Sequence, residues 1–163
     1  MIANLLRVTN TELEEYLKDS SLLENRIYDD ESEDDDPNSV HIDKSWAGIL
    51  FLLTGQNLET LNHPLEKVLF SGQLIDEEQD LGYGPGHYLT PEQVKEVNEQ
   101  ISQISTEELG KKYDPKKMNE LEIYPNSWED GDMANYLTEY FKTIQNVYAE
   151  ASKNDEAIIT YLN

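Results

Sequence analysis

The chain contains no cysteine, and that absence removes disulfides, thiolate zinc sites, iron–sulfur clusters and a cysteine nucleophile together. A cysteine-free chain suits a reducing compartment, so the expected location is the cytoplasm. Histidine is scarce too: it occurs only at His41, His63 and His87, with no pair at metal-ligand spacing, so neither a metal nor any other cofactor is expected. Long apolar runs are missing. The longest, Ala47 to Leu53, is interrupted by Gly48 and falls far short of the roughly 20 residues that span a bilayer. The opening Met1 to Arg7 is followed at once by Glu12, Glu14 and Glu15, unlike the basic start and longer apolar stretch of an export signal. The expectation is a soluble protein that is not exported by that route.

Positive charge is the other shortage. Lys and Arg number 12 against 34 Asp and Glu among 163 residues, a formal charge of -22, so phosphate backbones and anionic headgroups meet broad repulsion. Direct nucleic-acid binding and membrane binding are therefore disfavoured. The acidity serves solubility, or it steers the chain to a basic partner. Reaction motifs are absent as well: there is no Gly-x-Ser-x-Gly and no phosphate-binding Gly-Lys-Ser/Thr. A calcium loop around Gly131 fails, because Leu137 stands where the closing Glu belongs. Paired carboxylates for acid–base chemistry stay open, since so many acids offer many pairings.

What is present describes one layered domain of residues 1–163, an α/β chain bordering on α+β, rich in helix with a modest sheet. Ile2 to Val8 reads as a first strand. Thr9 and Glu12 then form the reciprocal cap of a helix whose buried face is Leu13, Tyr16 and Leu17. Asp29 to Ser39 is mostly acid with nothing apolar to offset the entropy of ordering, so it is expected to be a mobile surface loop. Asp43 is placed to cap a helix from Lys44 to Thr54, ended by Gly55, and that helix is apolar around most of its circumference, as a central buried helix would be. Pro64 opens a short segment to Phe70 readable as helix or strand. Thr90-Pro91-Glu92-Gln93 starts a helix lined by Val94, Val97, Ile101 and Ile104. Ser105 restarts a second helix, Asp114-Pro115 breaks it, and a third runs around Lys116 to Leu121. Ile123 to Trp128 reads as an extended, irregular link. The longest helix is expected from about Asp132 to Ser152, and Ala157 to Leu162 has the β-branched content of a terminal strand buried on both faces.

Two constellations stand out. Asp43, Lys44 and Trp46 put a carboxylate, an ammonium and an indole at the mouth of the buried helix, where they can bind a polar ligand; equally, they can cap, balance charge and fill the core. Asp80 to Pro91 packs three glycines, two prolines, two tyrosines and a histidine into one turn-rich segment. Its Gly82, Gly84 and Gly86 suggest a phosphate cradle, but a dinucleotide fingerprint needs its third Gly where His87 stands, and the acidic Asp76 to Asp80 run would repel phosphate. A structural turn stacking Tyr83 and Tyr88 on the core accounts for it better. One wall of a small-molecule or peptide pocket, using Asp80, Tyr83, His87 and Tyr88, is the functional alternative.

Three segments, Ile42 to Gly55, Asp80 to Pro91, and Ile123-Tyr124-Pro125 before Trp128, carry a resemblance to the YfbM-like family of small bacterial proteins, a domain of unknown function. The resemblance spans nearly the whole chain in the same order and implies an α/β layered fold with helices around a modest sheet. It implies no activity. Related chains often carry His where this one has Ala47 and Leu50, and Arg where it has His87, which argues against catalysis on the central helix. The expected function is non-enzymatic: an acidic cytoplasmic module that binds a basic protein, such as a nucleic-acid-binding factor or a toxin. The alternative is a small-molecule binder or enzyme with a pocket between the Asp43 to Trp46 helix start and the Asp80 to Pro91 loop.

Overall fold

A computed structural model describes residues 1–28 and 36–163. The expected mobile acidic loop at 29–39 lies mostly outside the described residues; its last four, Asp36 to Ser39, are within them and form a tied turn. Asn38 N–H donates to Asp36 Oδ1 at 2.9 Å and Arg26 Nε donates to Asp36 Oδ2 at 2.7 Å.

Among the described residues the sheet has four strands in the order β2-β1-β4-β3, and each pairing is antiparallel. β1 is Ala3–Val8, β2 Ser39–His41, β3 His87–Leu89 and β4 Ala157–Leu162. Leu5 lies opposite Thr160 and Leu6 opposite Ile159, and because side chains alternate along a strand these two pairs face opposite ways. Both faces are covered. Ala3, Leu5, Leu89 and Ile158 join the larger core, while Leu6, Val8, Ala157, Ile159 and Tyr161 join a second, smaller one. β4, last in the chain, is buried on both faces as its composition indicated, and it lies inside the sheet between β1 and β3.

The larger core is built by α3 (Trp46–Thr54), α4 (Pro91–Ile101), α5 (Thr106–Gly110), α6 (Pro115–Glu120) and α7 (Met133–Asn154). α3 is buried from Trp46 to Leu53 and ends at Gly55, whose φ of 73° is one that glycine adopts without strain. Its start departs from expectation. Asp43 does not cap it: a 3-10 turn over Asp43–Ser45 precedes the helix, and Asp43 sits at φ 49° with its carboxylate turned to Tyr136. The segment after Pro64 is a 3-10 helix, Pro64–Val68, capped by His63. Its last carbonyls are taken by the hydroxyls of Tyr148, from α7, and Thr160, from β4.

The smaller core is covered by α1 (Asn10–Lys18) and α2 (Ser21–Ile27) with Ile75 and Leu81. Thr9 and Glu12 form the anticipated reciprocal cap. Leu17, expected on the buried face, is instead 42% exposed. Arg26 ties this layer together, donating to Glu12, Tyr16 and Asp36. No helix among the described residues is long and apolar enough to cross a membrane.

Candidate functional site: three convergent segments and an acidic face

The three segments that carry the family resemblance converge on α3. Trp46 stacks on Tyr124 with ring centres 5.5 Å apart, and its edge meets Phe70 at 5.8 Å; Phe70 in turn meets His87 at 5.3 Å. Two residues later Gly48 faces Trp128, so closely that a Cβ there would lie 2.5 Å from the indole. The segment from Ile123 to Trp128 is not an extended link but a set of tight turns, with Trp128 Nε1 donating to the Ile123 carbonyl at 2.7 Å. It contains a cis Tyr124–Pro125 bond.

Of the residues singled out in the two sequence constellations, Trp46 and His87 are therefore brought together, through Phe70. Trp46 is buried, and Nε1 donates to the Met1 carbonyl at 3.3 Å. His87 accepts a hydrogen bond from Gly72 N–H on Nδ1 at 3.2 Å, and burial pushes its pKa below the usual imidazole value. The other residues are separated from this pair. Asp43 accepts from the Tyr136 hydroxyl at 2.8 Å, and burial together with that carboxylate raises the Tyr136 phenol well above its ordinary value. Lys44 is exposed. Tyr88, the neighbour of His87 on β3, faces the opposite side of the sheet and packs on the smaller core.

Asp80 explains the glycine loop. Its Oδ1 accepts from Gly82 N–H at 2.9 Å and Gly84 N–H at 3.0 Å, and these two bonds, Gly84 first, hold its pKa below the usual carboxylate range. The backbone donors that suggested a phosphate cradle are thus occupied by the loop's own carboxylate. Gly82 sits at φ 119° with Asn163 Cα 3.0 Å from where a Cβ would be, so the close approach and the dihedral both require glycine. Tyr83 does not stack on the core; at 58% exposed it projects from the tip.

That tip belongs to an acidic face. Ser20 Oγ donates to Asp76 Oδ2 at 2.7 Å and Gln79 Nε2 donates to the Ser20 carbonyl at 2.8 Å, which docks the start of α2 on the Asp76 to Asp80 turn. The Tyr28 hydroxyl donates to the Leu81 carbonyl at 2.6 Å, and burial, then the nearby Glu24 and Asp80 carboxylates, raise that phenol's pKa. Leu17, Leu22, Tyr28 and Tyr83 are all exposed in this layer, at 42%, 43%, 46% and 58%.

Two cavities lie on the other side of the molecule. One, about 220 Å³, has walls from α3, the 3-10 turn Leu58–Thr60 and the turn at 121–124. The other, about 350 Å³, opens at the carbonyl end of α3 beside Lys112, Lys117 and Asp114, where ammonium groups offset the helix dipole. Sequence reasoning passed over both, because their walls come from segments distant along the chain. Among the described residues no group of three or more His, Asp and Glu side chains is placed to hold a metal ion.

Taken together, these features define a protein with one antiparallel sheet between two helical layers. Within that class the assignment is specific: a family model described as a domain of unknown function, DUF1877, matches residues 1–161, and the chain belongs to this family. The crystal structure of YfbM from Escherichia coli, titled a protein of unknown function, superposes with a TM-score of 0.74 at 20% identity, covering 98% of each chain. At that identity the likeness speaks to the fold. Among curated proteins, none matches the chain.

Proposed function

We propose that the protein is a non-enzymatic, cytoplasmic binding module whose α1–α2 face engages a basic protein. The observation that carries this reading is the mixture on that face: exposed Tyr28 lies near the carboxylates of Glu24 and Asp80, and exposed Tyr83, Glu77 and Glu78 belong to the loop docked against it. Exposed aromatics supply contact area at small entropic cost, and a carboxylate rim complements Lys and Arg while raising the association rate. Solubility alone explains charge but not the apolar side chains set among it.

A defined probe separates a specific face from general acidity. A Lys/Arg-rich peptide carrying two apolar anchors is expected to bind the full chain, with affinity falling steeply as salt rises. Replacing Glu24, Glu77 and Glu78 by Gln is expected to weaken it roughly 3- to 10-fold. Replacing Glu92, Glu96 and Glu99 by Gln, the same charge change on exposed positions of α4, is expected to have a much smaller effect. Equal losses from the two triple variants would mean that the peptide reads net charge alone, and the proposal would fall.

A further inference from the structure

The cavity of about 220 Å³ beside Tyr124 has a composition that selects a ligand class. Its floor is apolar, formed by Ala47 and Leu50 of α3 with Ile123, each nearly inaccessible to solvent. Tyr124 lines it too, with its ring stacked on the Trp46 indole and its hydroxyl accepting from the Met1 α-ammonium at 3.2 Å. Two exposed acidic residues, Glu59 and Glu122, line it from different turns, and neither Lys nor Arg is among its lining residues.

The walls are held by hydrogen bonds within their own turns. Glu122 N–H donates to the Asn119 carbonyl at 3.0 Å and Ile123 N–H to the Met118 carbonyl at 2.9 Å, fixing the turn that presents Glu122 at φ 53°. On the other wall Asn57 Oδ1 accepts from Thr60 N–H at 3.1 Å and Gln56 Oε1 accepts from Asn62 N–H at 2.9 Å. Neither wall needs to rearrange to admit a ligand, so little ordering cost is added on binding.

From this arrangement we infer that the cavity binds a small organic ammonium with a compact apolar body. The body packs toward the Ala47, Leu50 and Ile123 floor. The ammonium is drawn to the carboxylates of Glu59 and Glu122. An anion of the same shape is repelled by both glutamates and by the net charge of -22. The volume is below that of sites for drug-sized ligands and suits on the order of ten non-hydrogen atoms, which places the expected Kd at roughly 0.1 to 1 mM.

The test titrates the full chain with three probes of similar size, 2-phenylethylammonium, 2-phenylethanol and phenylacetate, following amide shifts by NMR. The ammonium is expected to bind and to shift residues 47–61 and 121–124. The alcohol should bind at least 5-fold more weakly, and the carboxylate not measurably. Because Glu59 and Glu122 are exposed, the E59Q/E122Q double variant folds as the parent does. It is expected to weaken the ammonium about 10-fold while leaving the alcohol unchanged. The E92Q/E96Q/E99Q variant should leave both unchanged. Equal affinity for ammonium and alcohol, an unaltered affinity in E59Q/E122Q, or shifts confined to other surfaces would overturn the inference. This site lies on the opposite layer from the peptide-binding face, so either reading can fail without the other.

Discussion

A proton arriving on Nδ1 of His87 would displace the hydrogen bond that Gly72 N–H donates to it, and burial against Phe70 already disfavours the charged ring. The native pKa is therefore depressed, whereas the unfolded chain titrates near pH 6.5. The sign follows by linkage. Above about pH 6.5 both states are neutral at this residue and it makes no pH-dependent contribution. Below that, the unfolded state takes up the proton first, so stability falls until the native pKa is passed. Urea midpoints measured between about pH 7.5 and about pH 5.5 should carry this loss in the parent, superimposed on the easing of carboxylate repulsion that a His87 variant shares. They should decline less for H87N, in which the amide oxygen can keep the Gly72 bond without titrating. Equal slopes would remove His87 from the account. Asp43 shows how far a residue's role can lie from its local pattern: a carboxylate just before a helix usually caps it, yet here it accepts from Tyr136, 93 positions along the chain.

At the level of elements, the contact between α3 and α7 depends on Gly48. An alanine Cβ there would lie 2.5 Å from Trp128 and 2.7 Å from Leu137, both fully buried and without room to retreat. Overpacking of this kind costs about 1–3 kcal/mol, against at most about 1 kcal/mol gained in helix propensity. G48A should therefore lose roughly 1–2 kcal/mol in urea unfolding, and an equal or greater stability would show that α3 and α7 can separate freely. The same contact shows which parts of the fold were legible in the sequence. The caps at Thr9 and Thr90, the stop at Gly55 and the periodicity of α7 are set by neighbours within four residues, and each stands where the sequence placed it. β2 and β3 have three residues each, too few for a period to register, and their places in the sheet come from pairing with distant strands. The link at 123–128 looked extended because its apolar residues follow no period, although they are held by Trp128 turning back to Ile123 and by Tyr113 donating to the Trp128 carbonyl. The site divided for a related reason: strand alternation sends His87 and Tyr88, adjacent in sequence, to opposite faces. The walls of the ammonium cavity come from three segments, and no local signal in any one of them marks a site.

Across the whole molecule the charge of -22 opposes folding, because the compact state brings carboxylates closer together than the unfolded chain does. Few cations relieve it. Lys95 with Asp155, Lys111 with Glu107 and Lys116 with Glu120 are exposed pairs, screened by water and weakened by salt. Arg7 with Glu156 and Arg26 with Asp36 are better shielded and should persist. Raising ionic strength from about 10 mM to about 150 mM shortens the screening length from ~30 Å to ~8 Å, which suppresses the many long-range repulsions while costing only the few exposed attractions. Thermal stability should therefore rise with sodium chloride over this range, by roughly 1–3 kcal/mol. The E92Q/E96Q/E99Q variant isolates the cause: with three negative charges removed, it should be more stable than the parent at low salt and gain less as salt is added. A melting temperature that falls with salt would mean that specific ion pairs outweigh the self-repulsion. The acidic face would then have to be read as a structural network rather than as a field available to a basic partner.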